Sequence, residues 1–449
     1  MNEDSLESVL SLANAAPKLG ESHPGRYIAK YVKEIGCRTV VVERNYIDKD
    51  YLMDYATYHC RSFKDPGKRV SRLHFFKNAF DQDEFLDALT GERFGEICGR
   101  YLGFSIVKPI KNAEDQPIIG RTILETYPQS SDDGRITRFY IANEQKVNLF
   151  GQRLTVRSVP FQVQDGQVCK CATVALWSAS HALSSLFDTP THSPSDITVS
   201  ATSYPSIHRR FPSEGLILEQ MMEYIKSLGL EKDVMTFPHS DARLAARDVS
   251  YAKTAIKAYV QARIPVIATV KMFDDETQLD YHAIVITGFG IDRRGKLLEI
   301  YVHDDQVGPF CRAEWRDESR EIHYEWTNVS LSGGFDAYEH CQIDKLIVPV
   351  YTKIRLPSAA MAGVYEQIQR EVRSEGLTAT LLYQQVGDYK AFVASHLCSN
   401  KTEILLKDLP RFLAVVRTSY ADKPILDYVY DATANTVRKS KFLAEAKYE

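Results

Sequence analysis

Short apolar runs alternate with helix-like segments along the first 130 positions. Four runs have the length and the β-branched and aromatic content of strands, and segments 48–63 and 81–91 have helical periodicity. The pattern predicts an N-terminal α/β region, whose end is marked by the polar cluster 128–135. The predicted strands are RTVVVE (38–43), RLHFF (72–76), LGFSIVKPI (102–110) and PIIGRTILETY (117–127).

The middle of the chain combines one strongly apolar helix with a group of strands. Apolar residues recur at helical spacing from Cys171 onward, and further helices are predicted at 215–230 and 251–263. A polar segment rich in proline and serine, 188–206, separates the first of these helices from the others. The predicted strands that follow are IPVIATVKMF (264–273), HAIVITGFGI (282–291), LLEIYVHD (297–304) and IDKLIVPVY (343–351).

The last hundred residues give a mixed pattern. Helices are predicted at 362–376 and 406–417, on either side of a short strand at 378–385. The basic tail 437–449 is predicted to be a solvated surface helix. A turn-forming Pro-Ser pair near 357 separates this part from the preceding strand, so three regions are expected: 1–130, 131–355 and 356–449.

Composition narrows the class of protein. The chain of 449 residues carries 55 basic and 59 acidic side chains, a net charge of -4, so a nucleic-acid partner is not expected. The acidic N-terminus does not resemble a secretory signal, and no run reaches the length of a membrane span. We therefore expect a cytoplasmic protein whose eight scattered cysteines are mostly free thiols.

One pair of cysteines begins the apolar helix. In QDGQVCKCATVALWSA (164–179), Cys171 falls at or just before the first turn of the helix and Cys169 lies upstream. A helix N-terminus stabilises a thiolate, so Cys171 is a candidate nucleophile. A zinc site is the weaker interpretation, because His181 and His192 are the nearest further ligands and no second paired motif is present.

A nucleophilic cysteine needs a base, and the base needs an orienting group. Residues 281–305 read as a β-hairpin with His282 at its start and Asp304 and Asp305 at its end. A turn centred on Arg293 puts His282 opposite Asp304, whereas a bulge at Gly295 would favour Asp305. Otherwise the Asp305 carboxylate is expected to accept backbone N–H groups of the following turn.

These residues resemble the papain-like cysteine peptidases, and most closely the bacterial branch that cleaves double-glycine leader peptides. The matching motifs are QDGQVCKCATVALWSA, YHAIVITGF and IYVHDD, within about residues 150–350. The resemblance implies an α+β fold with a papain-like core, a central helix packed on an antiparallel sheet, between an N-terminal α/β region and a small C-terminal α+β region. The sequence departs from the family at Ala172, usually glycine, and at Asp305, usually proline.

The resemblance also implies roles for individual residues. Cys171 is the nucleophile, His282 the base and Asp304 its orienting group, and the oxyanion-stabilising glutamine falls on Gln164, with Gln162 and Gln167 as alternatives. We expect a cysteine peptidase that acts on a peptide or protein substrate and needs no metal or organic cofactor. A thiol acyltransferase or transglutaminase-like enzyme with the same triad, or a non-catalytic peptide-binding domain, are the alternatives.

Overall fold

A computed structural model describes residues 5–19, 22–112, 115–131, 133–165, 170–203, 215–237, 242–274, 277–315, 321–324, 340–420, 423–434 and 442–448. Helices make up 34% and strands 40% of the structure, and the sheets are antiparallel, so the protein is mixed α+β. In the described ranges, no helix combines the length and the apolar character that crossing a bilayer requires.

The N-terminal region forms a five-stranded sheet in the order β1–β2–β3–β4–β5. Its strands are β1 (Leu6–Ser11), β2 (Thr39–Tyr46), β3 (Val70–Phe76), β4 (Tyr101–Lys111) and β5 (Pro117–Leu124). Its helices are α1 (Leu12–Leu19), α2 (His23–Glu34), α3 (Lys49–Thr57), α4 (Gln82–Thr90) and α5 (Phe94–Ile97), with a 3₁₀ turn at His59–Arg61.

The four strands predicted in this region overlap β2 to β5, but the expected α/β arrangement is wrong. Every neighbouring pair in the sheet is antiparallel. Each helical connection therefore returns to the end of the sheet that it left, whereas an α/β unit needs a helix that crosses the sheet face.

The middle region begins with β6 (Thr137–Tyr140) and the hairpin β7 (Asn143–Leu149) and β8 (Gln152–Ser158). The helices that follow are α6 (Cys171–Phe187), α7 (Pro194–Ala201), α8 (Leu218–Ser227) and α9 (Ala242–Gln261). Its remaining strands are β9 (Leu230–Thr236), β10 (Val266–Asp274), β11 (Thr277–Ile291), β12 (Leu297–Asp304), β13 (Gly308–Trp315), β14 (Glu321–Tyr324) and β15 (His340–Tyr351).

These strands form one large antiparallel sheet in the order β10–β11–β12–β13–β14–β15–β9. Strand β15 also pairs with β10, so the sheet closes on itself, and β6 adds to β11. Helix α6 packs against β10, β11 and β12. The polar segment 188–206 contains α7, which begins with a capping box between Ser193 and Asp196 and has Pro194 at its first position, where proline is well tolerated.

The C-terminal region forms a four-stranded antiparallel sheet, β16–β17–β18–β19. Two predictions fail here. The predicted helix at 406–417 is wrong, because Phe412 to Val416 form the buried first half of a strand, and a short continuous apolar run fits either state. Part of the tail is also a strand. The elements are α10 (Ser358–Arg373), β16 (Thr378–Gln385), α11 (Val386–Ser395), α12 (Lys401–Leu406), β17 (Phe412–Tyr420), β18 (Lys423–Asp431) and β19 (Phe442–Lys447).

One apolar core runs through all three regions. It includes Val42 of β2, Leu176 of α6, Ile286 of β11 and Val416 of β17, all of them buried. The core is continuous across positions 130 and 355, so the domain boundaries remain predictions. The arrangement surrounds α6 with packing from both the closed sheet and the N-terminal region.

A glycine marks the contact between the N-terminal region and the β12–β13 turn. Gly308 pairs with Asp304, and a Cβ at Gly308 would lie 2.1 Å from Cδ1 of the buried Tyr27 on α2. We predict that Gly308→Ala lowers the stability by about 1–3 kcal/mol through overpacking. Gly363 lies inside α10, and a Cβ added there would have no atom within 4 Å apart from its chain neighbours and the backbone of its own helix. Gly363→Ala should therefore increase the stability by about 0.5–1 kcal/mol. Urea unfolding midpoints test both changes, and an unchanged midpoint for Gly308→Ala would contradict the contact.

Candidate active site

Cys171 is the first residue of α6. The preceding Lys170 is extended, with φ -114° and ψ 173°, and its side chain does not cap the helix. The first N–H groups of an α-helix lack partners within the helix, and their partial positive charge favours an anion. The half-buried thiol of Cys171 therefore lies where the helix end favours a thiolate.

The turn of the β11–β12 hairpin is centred one residue later than the sequence predicts. Ile291 pairs with Leu297, which puts Arg294 rather than Arg293 at the centre. Gly295 has a φ of +74°, in the left-handed region that glycine adopts without strain, and lies within the turn itself. The register is thus displaced by two residues from the expected one.

Two β-bulges lie between the turn and the site, one at Leu298 of β12 and one at Thr287 of β11, and because they are in opposite strands their shifts cancel. Beyond both, Val285 pairs with His303, and the same register puts Ile284 opposite Asp304. His282 is therefore a diagonal neighbour of Asp304 rather than its direct partner. A displacement of two residues keeps both side chains on the same face of the sheet, so they can still meet.

Asp304 is the aspartate that forms a hydrogen bond with His282. The Nε2 atom of His282 lies 2.9 Å from Oδ1 of Asp304 and 3.5 Å from Oδ1 of Asp305. The same Oδ1 of Asp304 accepts the backbone N–H of Gln306 at 3.0 Å. The expectation that Asp305 binds the turn is therefore wrong, because this backbone donor reaches Asp304 instead.

The neighbours of His282 favour its charged form. Burial alone lowers the pKa of an imidazole, but the charge and hydrogen bond of Asp304 oppose that effect here. A hydrogen bond with Cys171 and the charge of Asp305 act in the same direction, so the pKa of His282 is raised well above 6.5. The remaining ring nitrogen, Nδ1, is buried and has no well-aligned partner among the described residues, so the contact with the thiol is a loose one.

Asp305 is a buried carboxyl group beside this pair. Burial raises its pKa to about 7, the charge of His282 opposes the rise, and the charge of Asp304 adds to it. Within the described residues, neither oxygen of its side chain has a well-formed hydrogen bond. The two neighbouring aspartates therefore differ in role: Asp304 forms a hydrogen bond with His282, whereas Asp305 acts on His282 only through its charge.

A cleft of about 800 Å³ opens over Cys171 and His282. Gln164 lies in its wall, whereas Gln162 is buried, and Gln167 lies outside the described residues. Of the two glutamines within the described residues, Gln164 is therefore the one that lines the cleft together with Cys171. The other walls are formed mainly by α8 with the residues before it and by β10 and β11: Leu216, Ile217, Leu218, Met221, Thr269, Met272, Tyr281 and Ala283.

The loop that carries Gln164 is fixed to the N-terminal sheet. Phe161 exchanges two backbone hydrogen bonds with Thr122 of β5, at 2.9 and 2.7 Å. The ammonium group of Lys108 on β4 lies 3.9 Å from the Asp165 carboxylate, and both side chains are almost completely buried. Sequence reasoning missed this support, although a lysine inside an otherwise apolar predicted strand was an available signal.

Among the described residues, Cys171, His181 and His192 do not form a group that could share a metal ion. His181 packs against Trp177 on α6, and His192 lies beside the hydroxyl of Tyr224. Cys169 lies outside the described residues.

In the part of the chain that the structure describes, one group of side chains is close enough to share a cation. Donor atoms of His282, Asp304 and Asp305 lie within 4.8 Å of one another. A cation bound through Nε2 of His282 would replace the hydrogen bond of that nitrogen with Asp304.

The chain was compared with protein-family models and with curated proteins. No protein-family model matches the chain, and no curated protein matches its sequence. The case for a function therefore rests on the chemistry of the residues around the cleft.

The buried Asp305 predicts a specific dependence of stability on pH. The pKa of Asp305 in the folded protein, about 7, is above its usual value of 3.8, so ionisation is less favourable in the folded state. Folding stability is therefore lost as the pH rises from 3.8 to about 7. Asp305→Asn removes that loss and should raise the urea midpoint relative to the unmodified protein more at pH 8 than at pH 5. Asp292→Asn, in the turn of the same hairpin, is the control. An Asp305→Asn difference that does not change with pH would contradict the assignment.

Proposed function

We propose that the protein is a cysteine peptidase that cleaves an amide bond through Cys171, His282 and Asp304. The observation that carries the proposal is that the His282 ring interacts with both the Asp304 carboxylate and the Cys171 thiol. Nε2 of His282 is bonded to Asp304, which leaves Nδ1 for the thiol at the start of α6. A histidine held in this way can take the thiol proton and keep the resulting ion pair.

The reaction follows from these positions. The Cys171 thiolate attacks the carbonyl carbon, and the oxyanion that forms is stabilised by Gln164 and the backbone N–H of Cys171. His282 gives its proton to the leaving amine as the C–N bond breaks, and a thioester remains. Water then attacks the thioester with His282 as general base, which releases the acid and restores the thiol.

The cleft supports a peptide or protein substrate. One wall is apolar, formed by Leu216, Leu218 and Met221, while Asp344 and Lys345 supply charged groups. A volume of about 800 Å³ is within the range of sites that enclose small ligands or a few residues of an extended peptide.

The packing of α6 on a closed antiparallel sheet supports a papain-like core as part of the same proposal. In this interpretation α6 presents the nucleophile, while β11 and β12 present the base and the carboxylate. Ala172 replaces the glycine that the resemblance leads one to expect, and it is buried and lines the cleft next to Cys171.

Selective alkylation tests whether Cys171 is activated. We predict that iodoacetamide at pH 6.5 modifies Cys171 at least about tenfold faster than Cys60, although Cys60 is the more exposed thiol. His282→Gln should remove most of this difference and leave the rate at Cys60 unchanged. Intact-mass and peptide mass spectrometry give both rates. Faster modification of Cys60 in the unmodified protein would contradict an activated Cys171.

Cleavage of a quenched-fluorescent peptide library tests hydrolysis and the choice of aspartate. Cys171→Ala should abolish cleavage, and Asp304→Asn should lower turnover by about 10²–10⁴, because an amide favours the wrong imidazole tautomer. Asp305→Asn should stay within about tenfold of the unmodified enzyme, as expected for a group without a hydrogen bond to the ring. Circular dichroism checks that each variant is folded. Rapid labelling of Cys171 without cleavage of any peptide would contradict a peptidase and favour acyl transfer to an amine.

A further inference from the structure

A second cavity, of about 470 Å³, lies at the other end of the β11–β12 hairpin. It is bounded by α9, by the hairpin turn, by α10 and by the start of β16. Ile291, the last residue of β11 before the turn, is nine positions after His282. The cavity is therefore about 30 Å along the strand from His282. It is therefore distinct from the cleft over Cys171.

The walls of this cavity carry charge of one sign. They include four basic residues, Lys253, Lys257, Arg294 and Lys296, and none of the described residues that line it is Asp or Glu. This is unusual for a chain whose net charge is -4. Positive groups gathered on a concave, partly desolvated surface concentrate the electrostatic potential and attract anions.

Lys257 is a partly buried cation in the wall of this cavity. Its ammonium group donates to the carbonyl oxygen of Gly295 at 3.0 Å. Burial lowers the pKa of Lys257 to about 8, and the charge of Asp292 opposes that effect only in part. A carbonyl group does not neutralise an ammonium charge, and one hydrogen bond uses one of its three donors. An anion in the cavity would supply the missing countercharge.

Neutral donors add to the cationic groups. The side chains of Ser250 and Thr380 bring hydroxyl groups to the walls, whereas the hydroxyls of Thr254 and Thr378 already donate to the backbone carbonyls of Ser250 and Ser419. The Oε1 atom of Gln369 accepts the backbone N–H of Ala379 at 3.2 Å, so the side-chain amide of this glutamine has its NH₂ group left to donate. Hydroxyl, amide and ammonium donors around one concave surface are the groups that bind phosphate oxygens.

We propose that this cavity binds a small molecule that carries a diphosphate or triphosphate group. Two or more adjacent phosphates match the four clustered cations better than a singly charged anion does. The volume also leaves room for an attached group beside the apolar side chains of Val249 and Leu297. The proposal is independent of the chemistry at Cys171.

Isothermal titration calorimetry of the full chain with inorganic pyrophosphate, and separately with ATP, tests the site at constant ionic strength. We expect binding that Arg294→Glu and Lys257→Met each weaken by about tenfold or more, since each removes one charge-assisted contact. Arg293→Glu is the matched control, because Arg293 lies in the same exposed turn but does not line the cavity. It should change the dissociation constant by less than about twofold.

The two ligands separate the possible occupants. Tighter binding of ATP than of pyrophosphate assigns the remaining volume to a nucleoside, and equal binding assigns the site to the phosphates alone. Arg294 is exposed on the turn, so its variant keeps the test valid even if Lys257→Met fails to fold. Absence of binding by both ligands, or equal weakening by Arg293→Glu and Arg294→Glu, would overturn the proposal.

Discussion

The buried hydrogen bond between His282 and Asp304 is the interaction on which the candidate site depends. An imidazole taken out of water without a carboxylate is neutral near pH 7, as the lowered pKa of the neighbouring buried His303 illustrates. Asp304 reverses that effect at His282, and its carboxylate is fixed in turn by the backbone of Gln306. Without this pair, Cys171 would be a cysteine at a helix end with no base.

His282 and Asp304 lie on the same face of the sheet because side chains alternate between the two faces along each strand. The hairpin register differs from the simplest count by two residues, yet His282 and Asp304 remain on one face because side chains alternate with a period of two. A net displacement of one residue would have turned one of them to the opposite face. The two cancelling bulges, one in β11 and one in β12, therefore matter more to the geometry of this pair than the turn does.

The N-terminal region is part of the structural support of the site. Asp50 on α3 accepts the indole N–H of Trp177 on α6 at 3.2 Å, and Lys108 on β4 lies beside Asp165, next to Gln164. Buried polar contacts of this kind add little net stability, but their loss leaves an uncompensated group, so they strongly favour one arrangement. The helix that begins with Cys171 and the loop that carries Gln164 are thus both positioned by residues from the first 130.

The sequence by itself determined the local features: the four N-terminal strands, α6 with Cys171 at its first position, and a hairpin with His282 and Asp304 near its open end. Each depends on periodicity or on helix-end chemistry, which act over a few residues. The tertiary structure alone decided the antiparallel N-terminal sheet, the strand at Phe412–Tyr420, the burial of Asp305 and the position of Gln164 in the wall of the cleft. These features depend on which distant segments exclude water from one another, and a run such as FLAVV satisfies a buried strand and a buried helix equally well until its neighbours are in place.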